Sequence, residues 1–214
     1  MTERICLVLA GGDAALPVDP VPHPAFVIAA DGGLALADRL GLECNLVVGD
    51  FDSVDPVALE HARQGGAEVE AHPEDKDATD LELALDAAVA RGFERVIIVG
   101  GTALDRIDHL LANAGLIAAG RYAGLHLEWR TGLSRVLALH HAASIEGEIG
   151  DLVSIVPVGD AVTLSTRGLA WELSNATLRA DSSRGISNRL TAPSAEIVAS
   201  AGRALVVHTR GNPR

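Results

Sequence analysis

Aromatic side chains make up only 3% of this 214-residue chain, and cysteine occurs twice, as Cys6 and Cys44. Two distant cysteines form neither a C-x-x-C pair nor a disulfide framework. Basic residues are scarce, with 17 Lys and Arg against 29 Asp and Glu, for a formal net charge of −12. That balance argues against a duplex nucleic-acid partner, which needs a basic surface to displace counterions. It leaves room for a cationic small substrate, or for Mg²⁺ between carboxylates. Long hydrophobic runs are missing. The apolar run at residues 5–10 is too short for a signal peptide, and no stretch reaches the length of a bilayer span. A cytoplasmic, soluble protein with no membrane partner is expected. Two nucleotide signatures are absent as well, G-x-x-x-x-G-K-[ST] and G-x-G-x-x-G, so neither a Walker loop nor a Rossmann dinucleotide site is expected. The remaining composition, 48% hydrophobic and 21% charged, excludes extensive disorder.

Short apolar runs at 4–9, 25–29, 45–48 and 95–99 read as buried strands. Between them, 34–40, 57–64 and 81–90 carry apolar residues at three- and four-residue spacing, the helical period. Asp55-Pro56 reads as an N-cap followed by proline in the first turn, and Thr79-x-x-Glu82 as a capping box. Strand and helix in alternation predict an α/β domain with a mainly parallel sheet. From about residue 131 the runs become short and β-branched, at 151–157, 161–165, 195–199 and 204–208. Turn signals at Gly147, Gly150, Gly159, Gly168, Gly185 and Gly202 separate them. The expectation is an α/β domain over 1–130 and an all-β, sandwich-like domain over 131–214.

The acidic residues fall where such a sheet would gather them. Asp31-Gly32-Gly33 follows the second run, Gly49-Asp50-Phe51-Asp52-Ser53 the third, and Lys76-Asp77-Ala78-Thr79-Asp80 precedes a helix. Gly100-Gly101 follows the fourth run and leads to Arg106-Ile107-Asp108-His109. Strand-to-helix loops of a parallel sheet emerge at its carboxyl edge, where ligands bind. Asp31, Asp50, Asp52, Asp77 and Asp80 would therefore share one rim. Each has a plainer role open to it, as a helix cap, a turn residue or a partner of a helix dipole. Together they would repel unless cations neutralise them. Mg²⁺ suits the arrangement, because it takes one or two carboxylates, keeps waters and bridges phosphates. Lys76, Arg106 and His109 would offer positive groups to a polyphosphate. In the β region Trp171 could pack in the core or present its face to a cationic ring. Ser187 and Asn188 could read the edge of such a ring or shape a turn. His140-His141 reads as structural.

Six motifs, in order over about residues 30–190, resemble the thiamine pyrophosphokinase family. They are Asp31-Gly32-Gly33, Gly49-Asp50-Phe51-Asp52-Ser53, Lys76-Asp77-x-Thr79-Asp80-Leu81-Glu82, Arg106-x-Asp108-His109-x-x-Ala112-Asn113, Gly168-Leu169-x-Trp171 and Gly185-Ile186-Ser187-Asn188. The resemblance implies an N-terminal α/β domain, a C-terminal β-sandwich and a homodimer with active sites at the subunit interface. It implies that thiamine and the co-substrate ATP give thiamine diphosphate and AMP, the thiamine hydroxyl attacking the β-phosphorus in line. Asp50, Asp52 and Asp80 are implied as Mg²⁺ ligands, with Asp31 and Asp77 as supporting catalytic carboxylates. Thr79, Arg106, Asp108, His109 and Asn113, beside Lys76, are implied to contact ATP or position the groups that do. Trp171, Ser187 and Asn188 are implied to hold thiamine. Two positions depart from the pattern: Thr102-Ala103-Leu104-Asp105 holds less glycine than expected, and Ala170 stands where the family often has lysine. Two alternatives stay open, a pyrophosphokinase for another hydroxymethyl heterocycle such as a pterin, and a thiamine- or nucleotide-binding protein without turnover.

Overall fold

The computed structural model describes residues 4–12, 15–75, 77–102 and 106–211. The chain divides into two compact units, residues 1–113 with 125–132, and residues 114–124 with 133–214. The first unit is built on β1 (Ile5–Ala10), β2 (Phe26–Ala30), α1 (Gly33–Leu40), β3 (Leu46–Gly49), α2 (Pro56–Gln64), β4 (Glu68–Ala71), α3 (Asp80–Ala90) and β5 (Arg95–Gly100). Helix α4 (Ile107–Ile117) and strand β6 (His126–Thr131) complete the alternation. The six strands are all parallel, in the order β6-β5-β1-β2-β3-β4.

All six residues of β1 are buried, so both faces of the central strand need cover, and α1 and α3 both pack against it. Leu7 and Leu9 join Leu36, Ala37, Ile97 and Val99 in one apolar cluster. The helix starts follow the local signals: the Asp55 carboxylate accepts the Val57 N–H at 3.0 Å, and Thr79 Oγ1 accepts the Glu82 N–H at 3.3 Å. Three elements of this unit, β4, α4 and β6, lie outside the sequence reading. Strand β4 is Glu-Val-Glu-Ala, an edge strand that among the described residues pairs only with β3, and Arg91 binds its Glu68 and Glu70 at 2.7 and 2.9 Å. An edge strand needs no apolar run, so periodicity passes over it. Helix α4 carries apolar residues around most of its circumference, which blurs its period.

The second unit is β-rich, with β7 (Ser134–Leu139), β8 (Ala142–Glu146), β9 (Leu152–Arg167), β10 (Ala176–Arg179), β11 (Asn188–Arg189) and β12 (Ser194–Thr209). Among the described residues its strand pairings are all antiparallel and enclose a core that includes Leu139, Ile145, Ile155, Leu164, Leu178 and Val206. The turns expected at Gly159 and Gly202 are not there. Both glycines lie inside 16-residue strands, at φ of 91° and 79°, and the β9–β12 register shifts beside Gly202. Glycine at positive φ lets a strand take a bulge and continue, where sequence alone suggests a break. Among the described residues no helix is long and apolar enough to cross a membrane.

A buried polar network ties the ends of this unit together. The Asp151 carboxylate accepts the Glu148 and Gly211 N–H groups at 2.9 and 2.7 Å and meets His208 Nε2 at 2.8 Å. Arg135 donates to His208 Nδ1 at 3.1 Å, which leaves the Nε2 proton to bond Asp151. Burial pushes the Asp151 carboxyl up, but the two backbone donors and His208 outweigh it and hold it below its usual range. A depressed carboxylate stabilises the fold above its unfolded value of about 3.9 and loses that contribution as pH falls through the lower folded value. Asp151→Asn is therefore expected to cost about 1.5–3 kcal/mol at pH 7. Its Tm should also fall less than the wild-type Tm on acidification from pH 7 to pH 3; equal slopes by calorimetry would remove Asp151 from the acid response.

Candidate active site

In the strand order β5-β1-β2, the chain leaves β1 toward one edge and returns to its other side through β5. The carboxyl ends of β1 and β5 flank this switch point, where a parallel sheet opens a crevice. A cleft of about 760 Å³ lies there, within the size range of small-ligand sites. Its lining comes from five loops: Gly11 and Gly12 after β1, Asp31 and Gly32 after β2, Ser53 after β3, Glu74 and Thr79–Asp80 before α3, and Gly101 after β5. Arg106, His109 and Asn113 add the wall from the α4 side, and Arg39 that from α1.

The backbone at the cleft is closely packed. A Cβ on Gly11 would stand 3.2 Å from the Gly32 Cα, and one on Gly49 would stand 3.0 Å from the Asp31 Cβ. Asp31 adopts φ 44° and donates its N–H to Val48 O at 2.8 Å, which turns its side chain toward the next loop. There Ser53 Oγ donates to Asp31 Oδ2 at 2.5 Å, while Asp31 Oδ1 is buried with no hydrogen-bond partner among the described residues. Phe51, at φ 63°, packs against an apolar cluster with Val47 and Leu34. An aromatic residue in the left-handed region is strained, and core packing holds it there, between two carboxylates. Asp52 N–H donates to Asp50 Oδ1 at 3.3 Å.

One carboxylate oxygen from each of Asp31, Asp50 and Asp52 lies within 4.8 Å of the others. The charge of Asp50 raises the Asp52 carboxyl above its usual range, with partial desolvation, Asp31, a hydrogen bond with Asp50 and Glu74 adding to it. An all-oxygen donor set carrying a buried, unpaired oxygen fits a hard divalent cation such as Mg²⁺. Asp80, at the first turn of α3, lines the cleft but is not in this group. Asp77 is exposed and does not line the cleft, and Lys76 lies outside the described residues.

The remaining candidates separate into lining and supporting groups. Arg106 lines the cleft, bonded to Asp108 at 3.2 and 3.0 Å and to His109 Nε2 at 2.5 Å. Arginine only donates, so His109 Nε2 accepts. The Arg106 hydrogen bonds hold the Asp108 carboxyl down to about 2. Asp108 itself does not line the cleft and acts on Arg106. Asn113 is buried and donates its Nδ2 to Gly101 O at 3.1 Å, and Gly101 N–H donates to Gly11 O at 3.1 Å, sewing β5 to β1. Thr79 both caps α3 and lines the cleft. Gly11-Gly12, Glu74 and Arg39 were missed by sequence reasoning. The glycine pair carried a usable signal, following its strand as Gly32-Gly33 and Gly100-Gly101 follow theirs.

In the second unit Trp171 is not core, being 62% exposed. Asn188 is buried, and its amide holds the tryptophan backbone: Oδ1 accepts the Trp171 N–H at 3.1 Å and Nδ2 donates to Trp171 O at 2.8 Å. Ser187 is exposed at φ 62° and donates its N–H to Ser154 Oγ at 2.9 Å. His140 lies in the β7–β8 connection; burial, then the charges of Arg203 and His141, push its pKa down.

Fold and site together define an α/β enzyme-type cleft lined with carboxylates and arginine, joined in one chain to a β-rich unit. The family model described as thiamin pyrophosphokinase, catalytic domain, matches residues 21–127, and that described as thiamin pyrophosphokinase, vitamin B1 binding domain, matches 141–203. The chain belongs to the thiamin pyrophosphokinase family. It is 26% identical over 151 residues to Thiamine pyrophosphokinase 1 of Oryza sativa subsp. japonica, a match covering 65% of this chain and 56% of the rice protein. A thiamin pyrophosphokinase family protein from Enterococcus faecalis superposes with a TM-score of 0.83 at 25% identity, covering 98% of this chain and all of that one. Thiamin pyrophosphokinase from Candida albicans shares the fold at 12% identity, with a TM-score of 0.73 over 97% of this chain and 89% of that one.

Proposed function

We propose that this protein transfers the pyrophosphoryl group of ATP to the hydroxyl of thiamine, giving thiamine diphosphate and AMP. The observation that carries the reading is how the two family matches fall. The catalytic-domain match covers the residues that line the acidic cleft apart from those at the end of β1, such as Gly11 and Gly12, and the vitamin B1 match covers those that present Trp171. Thiamine oxygen forms a bond to the β-phosphorus in line as the bond from that phosphorus to the α-phosphate oxygen breaks. AMP leaves with the electron pair, and the hydroxyl proton is released. The chain's part is positioning and charge, which suffice for phosphoryl-type transfer. Mg²⁺ held by Asp31, Asp50 and Asp52 would supply charge neutralisation across the phosphates. Arg106, steadied by Asp108 and His109, offers donors to phosphate oxygens, and the glycine backbones let the chain approach closely. The exposed Trp171 face suits a thiazolium cation. The same reading makes the protein cytoplasmic and homodimeric, with active sites at the subunit interface. Both cysteines are free, as that compartment favours. The acidic excess falls in the first unit, while the second carries slightly more Lys and Arg than Asp and Glu.

Incubation with thiamine, ATP and Mg²⁺ followed by mass spectrometry tests the reading. Thiamine diphosphate and AMP should appear together and vanish with EDTA; thiamine monophosphate with ADP would place attack on the γ-phosphorus instead. Trp171→Ala is expected to raise the KM for thiamine about 2- to 30-fold, the loss of a cation–π contact worth about 0.5–2 kcal/mol. The ATP KM and the Tm should hold, because the side chain is mostly solvent-exposed. An unchanged thiamine KM would take Trp171 out of the substrate site.

A further inference from the structure

Helix α1 turns one stripe toward the cleft. Gly32 at its N-cap, Ala35, Leu36 and Arg39 follow the i, i+3, i+4, i+7 spacing of a single helix face, and all four line the cavity. The stripe is small or apolar until its last member. Leu36 is fixed in the core with Leu9, Val27 and Ile97, so the helix cannot rotate this face away without losing that burial. Arg39 is exposed and makes no hydrogen bond, ion pair or ring contact among the described residues.

The contrast with Arg106 is informative. Of the two arginines lining the cleft, Arg106 is engaged by Asp108 and His109, so part of its charge is already answered within the protein. Arg39 has no such partner, although Asp31, Glu74 and Asp80 line the same cavity. Stabilising the end of α1 accounts for a cation in its last turn, but that requirement is met at any side of the helix. It does not account for placement on the cleft-facing stripe. The adjoining wall is Gly11-Gly12, with Gly12 at φ 105° and Gly11 packed onto Gly32, a backbone that an anion can approach closely.

We infer that Arg39 is a phosphate-binding residue of this cleft, its guanidinium fork taking oxygens of the phosphate chain of the nucleoside triphosphate donor. The nucleotide identity of the ligand rests on the pyrophosphokinase reading; the demand for a polyanion rests on the cleft. A divalent cation answers only part of a triphosphate's charge, and the planar fork suits two oxygens at once.

Calorimetry with inorganic tripolyphosphate and Mg²⁺ tests the inference without an acceptor. Arg39→Gln is expected to weaken binding about tenfold or more with only the small fall in Tm that loss of a helix-end cation brings, and Arg39→Lys to recover part of the binding loss. Arg63→Gln, on α2 away from the cleft, should bind as the wild type does. In the product assay the ATP KM should rise about tenfold for Arg39→Gln with the thiamine KM unmoved. Equal tripolyphosphate affinity in wild type and Arg39→Gln overturns the inference, as does absence of tripolyphosphate binding by the wild type. Tripolyphosphate binding that depends on Arg39, in a wild type that forms no thiamine diphosphate, would keep the phosphate site and remove the thiamine reading alone.

Discussion

An Asp52→Asn protein should lose turnover by a factor on the order of 10²–10³ while remaining folded. Asp52 is exposed, makes no core contact, and faces Asp50 and Asp31 across a group of oxygens within 4.8 Å. Removing its charge relieves the repulsion that holds its carboxyl above the usual range. Without a divalent ion the variant should therefore melt at or slightly above the wild-type temperature. With Mg²⁺ the order should reverse, because the wild type gains stability from a bound cation and the variant gains less. Undiminished turnover in folded Asp52→Asn would take Asp52 out of the reaction. The same titration separates two ligand sets. The Asp31–Asp50–Asp52 group predicts that Asp31→Asn weakens Mg²⁺ binding more than Asp80→Asn does, and the opposite ranking would favour Asp50, Asp52 and Asp80.

Gly33→Ala should destabilise the protein by about 4 kcal/mol or more, near the upper end for single substitutions. The added Cβ would stand 1.9 Å from Leu9 O and 2.6 Å from Leu9 C, both backbone atoms of the central strand. Strand β1 is bonded on both sides, to β2 and to β5, and cannot yield. Helix α1 could move out only by uncovering Leu34, Leu36 and Ala37, all buried. Gly41→Ala is the control: its Cβ meets nothing within 4 Å, and the cost is that of alanine at φ 63°, about 1 kcal/mol. Chemical denaturation of the two variants checks the pair. A Gly33→Ala protein as stable as Gly41→Ala would mean that α1 is free to slide, and that the cleft wall carrying Arg39 is not rigidly placed.

Much of the cleft was legible because its parts are local. Asp55 and Thr79 cap helices through residues two and three positions away, and the buried parallel strands announce themselves as apolar runs. The loops after them carry the carboxylates, and a parallel sheet obliges those loops to share an edge. Less legible were features with no local pattern. Strand β4 shows only two glutamates and two small or apolar residues, and its partner Arg91 lies more than twenty positions away. Gly202 reads as a turn until β9 is beside it, when it becomes a bulge in a continuous strand. The sequence leaves Asn188 open between reading a ring edge and shaping a turn; its amide bonds the Trp171 backbone, seventeen residues distant.

By itself the sequence determined the class of each unit, the order of the motifs and the set of carboxylates available at one rim. Helical period, strand runs and caps are set by neighbours along the chain, so they survive without knowledge of the fold. Only the tertiary structure decided which carboxylates stand within reach of one another, grouping Asp31 rather than Asp80 with Asp50 and Asp52. It alone decided that Trp171 faces solvent and that Arg39 lies on the cleft-facing side of α1. Those outcomes depend on how loops from different strands turn over a packed core, through contacts such as Gly49 against Asp31 and Phe51 against Val47. Such contacts join residues that no sequence period relates.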